Sequence, residues 1–166
     1  MKTFVFDATP LIHLGKITFL DYLTSTKNLI PKSVYDEVIV AGKSLGKDDV
    51  MYLEKLIKKG IFSVVRCDIP FRELPIASLS FADREVLSIA KQYNGYAVID
   101  ELAGRRVASL LDIKTVGSLG IIIDLVTKKK ITKKNAKLAI DVMIENGWFC
   151  SPSLYTKILG ELGMNL

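Results

Sequence analysis

The run Thr3-Phe4-Val5-Phe6 is followed at once by Asp7, and Ala8-Thr9-Pro10 comes next. Aromatic and β-branched residues in an unbroken stretch suit a buried strand, and Pro10 suits the opening of a helix. Asp7 is thereby delivered to the carboxyl end of the strand. In an open α/β sheet that edge is where ligands bind. A second run, Tyr96-Ala97-Val98-Ile99, ends in the same way in Asp100. Two strand-end carboxylates facing one crevice repel each other unless a cation lies between them. A metal site is the first expectation.

The rest of the chain alternates in the manner of an α/β protein with a mostly parallel sheet. Helical sequence runs from Pro10 to about Thr24. Asn28-Leu29-Ile30 is a short strand, and Pro31 opens a helix reaching about Ala41. A helix from Asp48 or Asp49 to Lys59 stops at Gly60, and Ile61 to Val65 forms a strand. Residues 67–79, with Pro70 and Pro75, read as an irregular connection. Ser80 to Tyr93 is helical and closes at the turn pair Asn94-Gly95. Helix Leu102–Leu111 and strand Lys114–Val116 follow strand Tyr96–Ile99. Gly117 to Lys130, Lys133 to Asn146 and Ser153 to Leu162 are expected as closing helices. With 166 residues and no repeat or linker, one domain spanning 1–166 is expected.

An apolar fraction of 49% with 25% charged residues is that of an ordinary globular protein. Asp7 interrupts any apolar signal segment, and Asp124 breaks Leu119–Val126 far short of a membrane span. An intracellular, cytoplasmic protein without a membrane partner is expected. Cys67 and Cys150 are isolated and suggest neither a zinc site nor a disulfide. The net charge of +5 is concentrated in Lys128, Lys129, Lys130, Lys133, Lys134 and Lys137, with Arg105-Arg106 as a second pair. Such runs serve as solvated surface or as a phosphate-contacting rim for a polyanion.

Two further acids join the strand-end pair by helical spacing. Glu37 shares a face with Val34, Val40 and Ala41, whereas Asp36 sits with Lys32 and Ser33. Asp83 lines up with Leu87 and Ala90, whereas Glu85 lies with Ser88 and Gln92, a face expected to point outward. The candidate quartet is therefore Asp7, Glu37, Asp83 and Asp100. Carboxylates are natural ligands for magnesium or manganese. Such a cation lowers the pKa of bound water and stabilises charge on a phosphoryl oxygen.

Phe6-Asp7-Ala8-Thr9-Pro10-Leu11, Ile30 through Val38, and Val98-Ile99-Asp100-Glu101 leading into Gly104-Arg105-Arg106-Val107-Ala108 resemble the PIN-domain family. More narrowly, they resemble the stand-alone prokaryotic PIN proteins related to VapC-type toxins, and the likeness continues through Val116-Gly117-Ser118-Leu119-Gly120. The resemblance implies a three-layer α/β/α fold with a sheet of four to five strands. It implies metal-dependent phosphodiester hydrolysis, usually of RNA, with Asp7, Glu37, Asp83 and Asp100 as the metal-binding acids. Thr9, Glu101 and Ser118 are then accessory groups, Glu101 as a supplement to or replacement for Asp100. Arg105 would contact substrate phosphate. A small inhibitory antitoxin protein and homodimerisation are implied as partners. Ala82-Asp83 stands where this subgroup often shows Gly-Glu, which shortens the third ligand by one methylene.

Other hydrolases fit less well. A haloacid-dehalogenase-type phosphatase needs a second acid where Thr9 stands. His13 is the only histidine, too few for paired acid–base catalysis, and is expected to be structural. Gly117-Ser118-Leu119-Gly120 lacks the spacing and lysine of a phosphate-binding loop. The competing class is a nucleic-acid- or partner-binding module that kept the fold, although acids gathered around a crevice would repel phosphate. Tyr52, Tyr93, Trp148 and Tyr155 are candidate base-stacking residues, although each is expected to serve in packing first.

Overall fold

The computed structural model describes residues 1–68 and 79–164. Its centre is a five-stranded, wholly parallel sheet in the order β3-β2-β1-β4-β5. The strands are β1 (Thr3–Phe6), β2 (Lys27–Pro31), β3 (Phe62–Val65), β4 (Tyr96–Val98) and β5 (Lys114–Val116). The chain moves outward from β1 to β3, then returns to the other flank of β1 for β4. The order reverses between β1 and β4, which opens the crevice beyond their carboxyl ends. Phe6 pairs with Val98, and the Asp7 amide still donates to the Val98 carbonyl at 3.1 Å. The Ile99 amide donates to Val116 at 2.9 Å. Asp7 and Asp100 thus leave neighbouring strands at the same edge.

Helices flank the sheet: α1 (Ala8–Gly15), α2 (Lys32–Tyr35), α3 (Ala41–Ser44), α4 (Asp48–Lys58), α5 (Phe81–Gln92), α6 (Leu102–Leu110), α7 (Ser118–Thr127), α8 (Lys133–Glu145) and α9 (Pro152–Glu161). Phe6 and Phe62 meet edge to face across the sheet with ring centroids 5.1 Å apart. Val5, Leu11, Leu14, Leu29 and Ile30 are fully buried around them. Each such side chain contributes about 1.5–3 kcal/mol on burial. Helix α7 lies so close to β5 that a Cβ on Gly120 would stand 2.4 Å from Val116 Cγ2. Among the described residues no helix is long and apolar enough to cross a membrane.

Four departures from the sequence reading have physical causes. The helix expected from Pro10 to Thr24 is two pieces: α1 starts at Ala8, capped by Asp7, and ends at Gly15. A 3₁₀ segment, Leu20–Ser25, follows with a kink at Leu23. The helix from Pro31 to Ala41 is interrupted by a π turn at Asp36–Val40, where the Ala41 amide reaches back to Asp36 O. That wide turn breaks the expected spacing: Val40 is 53% exposed, and Glu37 and Ala41 are exposed with it. The α7 helix ends at Thr127, before the lysines. Glu85 does not face outward. It is 3% exposed, and its carboxylate accepts hydrogen bonds from the Ser33 amide (3.1 Å) and the Ser33 hydroxyl. Helix α2 has no side-chain cap of its own, so an acid from α5 satisfies its first turn. Of the irregular connection expected at 67–79, residues 69–78 lie outside the described residues.

Candidate metal-binding crevice

Three of the acids are fastened to helix N-termini, where exposed amides and the helix dipole favour negative charge. Asp7 caps α1 through a 2.8 Å hydrogen bond from the Ala8 amide. Asp83 forms a capping box with Ser80: its Oδ2 accepts from the Ser80 amide at 2.7 Å, and Ser80 Oγ accepts from the Asp83 amide. Asp83 therefore serves as a cap, and that role engages a single carboxylate oxygen. Asp100 accepts from the Ser118 amide (2.7 Å) and hydroxyl (2.6 Å) at the start of α7. Ser118 is fully buried. Glu101 precedes α6 without making a cap hydrogen bond.

Charge shows which acids face one another. The Asp7 carboxyl is pushed up from 3.8 to about 6, chiefly by burial, against the lowering hydrogen bond from Ala8. The negative charges of Asp83, Glu37 and Glu101 raise it further. A cavity of about 110 Å³ joins Asp7, Asp83 and Glu101, with Leu87, Ile99 and Val107 among its apolar walls. Asp100 is turned away, toward Ser118 and His13. It acts against the burial that lowers the His13 pKa. Glu101, one residue further on, faces Asp7 in its place. Glu37 acts on Asp7 from the exposed π turn.

Arg105 and Thr9 are exposed on the wall of an adjoining cleft that also includes Asp100 and Glu101. Arg106 is exposed. Lys128, Lys129 and Lys130 do not border this crevice. They follow the far end of α7, where Lys128 pairs at 2.7 Å with Asp124, which also holds Lys2 ahead of β1. Phe149, which sequence reasoning passes over for Trp148, is 86% exposed at the cleft, whereas Trp148 is 9% exposed. The adjacent pair Trp148-Phe149 after Gly147 was the available signal, since only one of two consecutive rings packs here.

Carboxylate oxygens are the donors magnesium and manganese favour, and a shared cation relieves the repulsion felt at Asp7. Among the described residues, no three His, Cys, Asp or Glu side chains close on a single point. Asp7, Asp83 and Glu101 on the wall of one cavity are oxygen donors of the kind a hydrated hard cation would take.

Glycine at 117 keeps this arrangement open. A Cβ there would lie 3.0 Å from Asp100 Oδ1 and 3.8 Å from Arg105 Nη1. Gly117→Val is expected to push Asp100 off Ser118 and cost about 0.5–2 kcal/mol, the worth of a helix cap. Urea unfolding checks this, and unchanged stability would mean that the carboxylate yields freely.

Comparison with known families agrees with the topology. The PIN-domain family model (DUF3368) matches residues 3–164. The chain belongs to the PIN-domain family. PIN domains are generally nucleases and typically use divalent metals. No curated relative matches the sequence. Among solved structures, this PIN domain is similar to a domain of a functionally unknown protein from Methanocaldococcus jannaschii DSM 2661. The two are 22% identical with a TM-score of 0.49, over 70% of this chain and 91% of the other.

Proposed function

We propose that this PIN domain is a magnesium- or manganese-dependent endoribonuclease. The observation that carries the reading is the cavity that brings Asp83 and Glu101 together with Asp7, in a chain whose net charge is +5. A binding surface for RNA alone has no use for such a cluster, which repels phosphate. Asp7 and Asp83, fixed by backbone amides, and Glu101, without such a bond, are the side chains that would hold the cation, with Glu37 and Asp100 beside them. When bound, the cation supplies an activated water and charge stabilisation on the phosphoryl group. Arg105 donates to a phosphate oxygen of the substrate and orients the backbone across the crevice. The Thr9 hydroxyl offers a second donor on the same side.

Cleavage of varied single-stranded RNAs is expected with magnesium or manganese and is expected to stop on chelation. Glu101→Gln is expected to lower the rate by about 10–100-fold. Cleavage that persists in chelator, or that Glu101→Gln leaves untouched, sinks this mechanism.

A further inference from the structure

We propose that the cleft beside the acidic crevice receives one unpaired nucleobase, stacked on Phe149. The proposal rests on the nuclease reading of the neighbouring acids. The cleft measures about 590 Å³ and is lined by Thr9, His13, Arg105, Trp148 and Phe149. It shares Glu101 with the cavity that holds Asp7 and Asp83. A nucleotide seated here would lie next to those acids. The Phe149 ring is 86% exposed and stands on the mixed polar and apolar wall, while Trp148 beside it is packed.

Each wall suits a different part of a nucleotide. A base is a flat π-surface with a polar rim, and an exposed aromatic ring stacks on any of the four. His13 and Thr9 contribute polar groups to the same wall. The Arg105 guanidinium is exposed, and its one side-chain hydrogen bond among the described residues is a long 3.5 Å contact to Thr115 Oγ1. It is available to a phosphate. A base still paired in a duplex presents no free face for this ring, which restricts the site to loops, bulges and single strands.

Trp148 is the sole tryptophan of the chain and lies in the cleft, so its emission reports occupancy. AMP contains no phosphodiester bond to cut, so binding is read without turnover. With magnesium present, equilibrium dialysis is expected to show AMP binding more tightly than ribose 5-phosphate, with a change in Trp148 emission. Phe149→Ala is expected to weaken AMP by about tenfold or more while leaving ribose 5-phosphate unchanged. Phe149→Tyr is expected to restore AMP binding. Equal affinity for the two ligands, or no effect of Phe149→Ala, overturns the proposal. So does loss of self-association in Phe149→Ala with AMP binding intact, which makes this face a protein interface. Base-dependent binding without RNA cleavage keeps the cleft and removes the nuclease; cleavage with base-independent binding does the reverse.

Discussion

Asp7→Asn is expected to make the metal-free protein more stable at neutral pH and to lower RNA cleavage by at least about 100-fold. The stability arm follows from linkage. Asp7 ionises at about 6 in the fold against an ordinary value of 3.8. A raised carboxyl pKa means that the fold prefers the protonated form. Its contribution is complete below about pH 4 and is lost as pH climbs through 6. Two pKa units at about 1.4 kcal/mol each give a penalty of about 3 kcal/mol at pH 7. Asparagine carries no charge and keeps an oxygen to accept from the Ala8 amide, so it removes the penalty without removing the cap. Denaturant unfolding in chelator from pH 4 to 8 reads this directly: the wild type should lose stability across the window and the variant should not. Magnesium should stabilise the wild type more than the variant. A variant that is less stable at every pH would make Asp7 a structural cap and nothing more.

The second large effect is expected at a residue outside the crevice. Glu85→Ala removes the buried acceptor of two Ser33 hydrogen bonds. The Ser33 amide then loses its partner in the first turn of α2, and a cavity opens between α2 and α5. Together these should cost about 2–4 kcal/mol, a large share of the roughly 5–15 kcal/mol that holds a domain folded. Glu85→Gln keeps one acceptor and should cost less. The urea midpoint measures both, and a neutral Glu85→Ala would show that the carboxylate is dispensable. Glu85 also ties the helix bearing Asp83 to the segment bearing Glu37, so metal affinity should fall with stability.

What could be read from the sequence was whatever depends on local repeat. An apolar run ending in Asp7, the Asn94-Gly95 stop after α5 with Asn94 at φ 46°, and the five strand runs all declared themselves. Residues whose roles depend on contacts across the fold did not. Glu85 reads as outward because a carboxylate beside Ser88 looks solvated, and only its partner on α2 shows otherwise. Asp100 and Glu101 are adjacent, and nothing local says which one turns toward Asp7. That choice is made by Ser118, whose amide and hydroxyl take Asp100. The lysine run was legible as charge, but its distance from the acids is a property of the direction of α7.

The π turn at Asp36–Val40 carries one more residue than an α-helical turn needs. Each residue advances a helix by about 100°, so the surplus residue acts as an offset in phase between α2 and α3. Deleting a single residue there would let the backbone close into one regular helix. It would also swing the Glu37 side chain, or whatever replaced it, to a new bearing relative to Asp7, with the buried Val34 anchor left in place. The orientation of that acid is thus set by chain length at one point. A single insertion or deletion there would re-aim it without any change in residue type.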